Sequence, residues 1–269
     1  MSILRPPMIS PFLAYHEISE RGSEYFYSIP KDSFREHARC LKRFSQCQRT
    51  PVKAPRVTFD DGHVSQYVHG LPVLQELSLQ AFFFVTVEWI GSRKGYMTWP
   101  QLRELAKLGH EVQSHGWSHS LLTQCSMPQL KFELDHSKKT LEDRLGISVD
   151  AISMPGGRWN HTVYHACREN GYGRVFTSDP FFAARRVSLC ELHGRLMVSR
   201  NMTTETISSL LEGRGIVPHL YFVKHLAGKS ARKVLGSGLY GLLWRHFSNK
   251  RESQEERARL TEPQTGKHA

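Results

Sequence analysis

No apolar run in the chain approaches the roughly 18 to 20 residues that a membrane-spanning helix needs. The opening segment, MSILRPPMISPFLAYHEI, is broken by prolines and lacks the charged start, apolar middle and small-residue cleavage site of a secretory leader. The five cysteines, Cys40, Cys47, Cys125, Cys167 and Cys190, are scattered and form no C-x-x-C pair. That pattern points away from a disulfide framework and from a thiolate zinc site. Together these absences predict a protein of a reducing, cytoplasmic setting. Internal repeats and low-complexity tracts are also missing, which excludes solenoids and propellers.

What is present is enough for one large core: 269 residues, 39% of them hydrophobic and 10% aromatic. The formal charge of +11 is unevenly spread, because from Tyr221 onward ten Lys and Arg stand against four Asp and Glu. We therefore divide the chain into a catalytic domain over residues 1–220 and a basic helical extension over 221–269, frayed beyond Ser248. In that extension apolar and basic residues mix at helical spacing. It either docks on the domain through Leu243, Trp244 and Phe247 or lies on an anionic membrane. The charge is not interleaved with a nucleic-acid-binding module, so no nucleic-acid partner is expected.

Short β-rich runs alternate with helical periodicity, the pattern of βα units around a largely parallel sheet. Candidate strands are residues 12–15, 56–60, 81–87, 111–114, 151–154, 174–177 and 196–199, enough to close or nearly close a distorted (β/α) barrel of about seven strands. One helix opens at Pro100 and ends at Gly109. A second runs from about Pro128 to Leu145, with a capping box at Ser126 and Gln129, an apolar face of Leu130, Leu134, Leu141 and Leu145, and a stop at Gly146. A third starts at Asn160 and ends at Asn170-Gly171.

Two carboxylates, Asp60 and Asp61, fall at the C-terminal end of an apolar strand, where such folds place their sites. Neighbouring strand residues face opposite ways, so both serve one site only if the chain bends, and Gly62 supplies a bend. The same letters also spell an Asp-Gly hairpin turn. His115 and His119 follow another strand, and imidazoles four apart share a helix face that can chelate one ion. His161 and His165 have the same spacing on an ordinary helix and read as surface or satisfied core histidines. His16 ends the first strand and reaches the same barrel mouth, as an acid, as a partner to the site residues, or as a buried structural histidine.

The run TFDDG followed by SHGWSH resembles the polysaccharide deacetylases, also called the NodB-homology domain or carbohydrate esterase family 4. LAYHEI, AFFFVTVEWIG, MTWPQLRELAKLGHEVQSH and ISMPGGRWN extend the resemblance over about Phe12 to Ser199. It implies a divalent metal, zinc foremost, held by Asp61, His115 and His119, with Asp60 as base and an N-acetylated glycan or glycolipid precursor as substrate. The implied activity is metal-dependent removal of acetyl groups. The third motif of the family, R-x-P-[FY]-G, reads Ser153-Met154-Pro155-Gly156-Gly157 here. The arginine that orients the base is thus displaced, with Arg158 near enough in sequence to replace it. Pro155, Gly156, Gly157 and Arg158 are then expected to line the substrate, Gly156 offering an N–H to an oxyanion. Only Asp179 remains of the fourth motif, and the general acid of the fifth falls to His16, His193, His219 or to none of them. The alternative is a weakened or inactive homologue that binds carbohydrate only.

Overall fold

A period of two along the β-rich runs decides the architecture, because it gives each strand one face for the barrel interior and one for the helices outside. The computed structural model describes residues 9–46 except 22 and 24, 56–181, 185–187, 190–228 and 230. In chain order the elements are β1 (Phe12–Tyr15), β2 (Glu17–Ser19), β3 (Ser28–Pro30), α1 (Lys31–Gln46), β4 (Arg56–Phe59), α2 (Leu71–Glu76) and β5 (Ala81–Val85). There follow α3 (Trp99–Lys107), β6 (Glu111–Ser114), α4 (Met127–Leu145), β7 (Ala151–Ser153), α5 (His161–Glu169) and β8 (Arg174–Phe176). The series ends with β9 (Arg185–Val187), β10 (Cys190–His193), β11 (Leu196–Met197) and α6 (Thr204–Glu212), and residues 217–228 are again helical.

Nine strands form one curled sheet in the order β11-β1-β4-β5-β6-β7-β8-β10-β9. Every pairing is parallel except β9 on β10. The expected barrel of about seven strands is thus a curl of eight parallel strands with an antiparallel edge. All seven candidate strands are present; β2, β3, β9 and β10 escape sequence reading because three or four residues show too little periodicity. Only Gly194 and Arg195 separate β10, which pairs with β8, from β11, which pairs with β1. One bent run of chain therefore reaches from one side of the curl to the other, and the Ser10 hydroxyl donates to the Gly194 carbonyl at 2.5 Å beside the bend.

The interior column holds Phe82, Phe84, Ala151 and Phe176, with Phe12 against them. Below it, at the N-terminal strand ends, Arg56 and Arg174 bridge Glu111 at 2.7 and 2.8 Å. The larger core lies outside the strands, where Val57, Phe59, Phe83, Val85, Val112, Ile152 and Val175 meet the helices. Burying a Phe or Leu there contributes roughly 1.5–3 kcal/mol each. Helix α3 carries its predicted Pro in the first turn, and α4 its capping box from Ser126 and Gln129 and its left-handed stop at Gly146. Asn160 caps α5 by accepting from the Val163 N–H, and of the two readings of His161 and His165 the structure gives the surface one, both being exposed.

Candidate active site

Inward-facing positions place side chains at one mouth, where the parallel strands end. Thr58 and Asp60 alternate inward on and just past β4, and the Asp60 N–H donates to the Tyr15 carbonyl at 2.9 Å, continuing the ladder. Asp61 then turns into the left-handed region with φ +74°, and Gly62 follows at +84°. The bend expected of Gly62 thus begins one residue earlier, at a position where an L side chain is strained. That turn brings both carboxylates to the same side.

His115 follows β6 and is buried; its Nδ1 lies 2.9 Å from the Ser153 carbonyl, which leaves Nε2 facing the mouth. His119 does not share a helix with it. Residues 115–119 form a loop, with φ +80° at Gly116 and +66° at His119. The loop is held by Glu133 of α4, whose carboxylate accepts from the N–H groups of Trp117 and Ser118 at 2.8 and 3.0 Å and from the Ser118 hydroxyl at 2.5 Å. Both imidazole Nε2 atoms end 3.3 Å from the same Asp61 oxygen, Oδ1. That oxygen is buried and has no hydrogen-bond partner. One carboxylate and two imidazoles converge without satisfying one another, the arrangement that a divalent ion completes. Burial opposes the charge on Asp61, but the two imidazoles outweigh it and hold its carboxyl well below the usual range.

Asp60 lies on the other side of this cluster and is gripped by a residue that sequence reading missed. Arg195, at the bend between β10 and β11, is fully buried and donates through Nη1 and Nη2 to the two Asp60 oxygens at 2.6 and 2.7 Å. Its remaining donors reach the Thr177 carbonyl, the Thr58 hydroxyl and the Ser153 hydroxyl at 3.2, 3.2 and 2.7 Å. Ser153 also donates to Asp60 at 3.2 Å. Burial would raise the Asp60 carboxyl, yet the Arg195 charge reverses this and the net direction is downward. The guanidinium on Asp60 comes from Arg195 and not from Arg158, which sits beyond the turn at residues 155–157. Closeness in sequence to Ser153 did not translate into closeness to Asp60.

In that turn Gly156 and Gly157 have φ +63° and +66°, and a Cβ on Gly157 would meet the Ser178 side chain at 2.3 Å. Pro155 is buried and the turn borders the mouth directly after β7. His16 follows β1, with its ring stacked on Tyr27 at 5.0 Å. Its Nδ1 is buried without a hydrogen-bond partner. Gln66 donates to the carbonyls of both His16 and Asp60, which places His16 at the same mouth, and burial pushes its pKa down, opposed by the charges of Asp61 and Asp60. His193 is elsewhere: it lies in the barrel interior, its ring stacked 4.9 Å from Phe176 and its Nε2 3.1 Å from Glu191. His219 lies on the helix at 217–228, its Nδ1 3.1 Å from the Gly215 carbonyl. Asp179, just past β8, pairs with His225 of that helix at 3.0 Å.

A curled parallel sheet with an Asp-His-His cluster and a second, guanidinium-bound carboxylate at its mouth defines a hydrolase-type site. Residues 48–175 match the family model described as polysaccharide deacetylase. YxkH of Bacillus subtilis (strain 168), whose name assigns it provisionally to the polysaccharide deacetylases, is 29% identical over 220 residues, 77% of each chain. The peptidoglycan-N-acetylglucosamine deacetylase PgdA of Listeria monocytogenes (serotype 1/2a, strain 10403S) is 32% identical over 108 residues, 40% of this chain and 22% of its own. Among solved structures, the Streptococcus pyogenes deacetylase PplD in complex with acetate superposes with TM-score 0.63 at 23% identity, covering 77% of this chain and 99% of that one. BC0361, a polysaccharide deacetylase from Bacillus cereus, gives 0.61 at 23% identity, over 75% and 68%. Residues 48–175, the stretch that carries Asp60, Asp61, His115 and His119, are thus similar to the polysaccharide deacetylase family, and the fold is that of solved deacetylases.

Proposed function

We propose that the protein is a metal-dependent hydrolase that removes acetyl groups from the N-acetylated sugars of a polysaccharide or glycolipid precursor. The observation that carries this reading is the unsatisfied, buried Asp61 Oδ1, 3.3 Å from the Nε2 atoms of both His115 and His119. Two imidazoles and a carboxylate suit zinc foremost, and they leave positions open for water and substrate. When bound, the ion supplies charge that acidifies a water and polarises the acetyl carbonyl.

The chain's own residues do the rest. Asp60, kept ionised by Arg195, takes the proton of the attacking water. As the carbonyl oxygen gains charge, the N–H of Gly156 in the turn after β7 is offered to it, with Pro155, Gly157 and Arg158 bordering the sugar. The proton that Asp60 takes from the water passes through His16, which receives it and gives it up to the departing amine, and the amine must be protonated before the C–N bond breaks. Four described cysteines, Cys40, Cys125, Cys167 and Cys190, are free thiols, which supports the reducing, cytoplasmic setting. No described helix is long and apolar enough to cross a membrane. A binding-only role is not favoured, since holding an ion does not call for a second carboxylate with its own guanidinium.

The test is acetate release from N-acetylated chito-oligosaccharides. Wild type should release acetate, lose activity to a chelator and regain it with Zn²⁺. Asp60→Asn should lose at least about 100-fold in turnover with its metal content unchanged, and His16→Gln a similar factor. Full activity in both variants would remove these roles.

A further inference from the structure

Of the eight large hydrophobic residues exposed in the described part of the chain, four fall within one stretch of eleven residues. Ile216, Leu220, Val223 and Leu226 are 70, 61, 63 and 45% exposed. Their spacing of four, three and three places them along one side of the helix at 217–228. The other side is occupied. Val217 and Tyr221 pack against the core, Tyr221 and Phe222 meet Phe181 with ring centroids 6.1 and 5.0 Å apart, and His225 pairs with Asp179. The helix is thus fixed to the barrel by one face and turns a second apolar face outward.

Charge indicates what that face meets. From Gly213 through Arg251 the chain has eight Lys and Arg and no Asp or Glu. A folded-back segment of the same composition would bring like charges together with no acid to offset them. A protein surface would have to be both apolar and acidic over the same strip. A bilayer with acidic headgroups offers both properties at once: acyl chains for the apolar stripe and anionic charge for Arg214, Lys224 and the basic residues that follow them in sequence. Position adds to this. Asp179 and Phe181, which hold the helix, lie just beyond β8 at the end of the barrel that carries Asp60 and Asp61.

We propose that the helix at 217–228, with Ile216 at its start, is an interfacial anchor that docks the catalytic end of the barrel on an anionic bilayer. The anchor stands on its own; that it presents the mouth to a lipid-linked acetylated sugar rests on the hydrolase reading above.

Flotation of the full chain with vesicles tests it. Vesicles of phosphatidylcholine with about 30% phosphatidylglycerol should recover the protein at least about 50-fold better than phosphatidylcholine alone, and salt near 0.5 M should abolish most of the difference. The double variant Leu220→Glu/Val223→Glu should lose at least about tenfold in vesicle binding, with unaltered melting temperature and unaltered acetate release from a soluble oligosaccharide. Failure of wild type to bind acidic vesicles, or equal binding by wild type and variant, would overturn the anchor. Neither result bears on the hydrolase, whose failure appears as absent acetate release while flotation persists.

Discussion

At the scale of single residues, the pair Asp60 and Arg195 decides the state of the base. Both are buried, and a buried ion pair broken by removing one partner leaves an uncompensated charge worth about 3–5 kcal/mol. Arg195→Met is expected to lower the melting temperature and to reduce turnover at least about 100-fold, whereas Arg195→Lys, with a point charge in place of a fork, recovers only part. Turnover and thermal melting read both effects. The pH sign follows from the lowered Asp60 pKa: its contribution to stability is present above the ordinary carboxylate range and is lost as pH falls toward the depressed value. In Arg195→Met that acid-side loss should shrink. The places of Asp60, Asp61, His115 and His16 at the mouth were legible because each stands at or next to the end of a strand-like run, and that of His119 through its spacing of four from His115. Arg195 was not, since nothing local says which distant carboxylate a buried cation will meet. The one signal was a cation interrupting the run CELHGRLMV.

At the scale of elements, the loop from His115 to His119 depends on Glu133 of the next helix, α4. Glu133 shares the inner face of α4 with Leu130 and Leu134, and a carboxylate in an apolar stripe marks a partner to be found. Here the partners are the loop's own N–H groups. Replacing Glu133 by Gln turns one acceptor oxygen into a donor facing them, so metal affinity should fall about 10- to 100-fold. Competition with a chromophoric chelator measures this, and turnover should return at saturating metal. Affinity equal to wild type would show that the loop needs no such support. Helix α4 itself was legible end to end, because a capping box and a glycine stop are local rules. The loop was misread as helical since a spacing of four looks the same in a helix and in a chelating turn. The positive φ at Gly116 and His119 that separates the two is set by the fit to Glu133 and Asp61.

At the scale of the whole molecule, seven alternating runs were enough to foretell a parallel α/β barrel, and its phase to foretell which residues reach the mouth. The closure was not foretold. The bend at Gly194 and Arg195 carries β10 into β11, so one segment both completes the curl and delivers the guanidinium to Asp60. Residues 231–269, including Leu243, Trp244 and Phe247, lie outside the described residues; before them, Val217 and Tyr221 of the helix at 217–228 pack against the core. All of this serves one claim, that Asp61, His115 and His119 hold a single divalent ion on which acetyl hydrolysis depends. The most direct measurement titrates Zn²⁺ into metal-stripped protein while following bound metal and acetate release together. Activity should rise in step with binding and saturate at one ion per chain, and Asp61→Ala and His115→Ala should abolish both. Full turnover by the stripped protein, or unchanged stoichiometry and affinity in those variants, would contradict that claim.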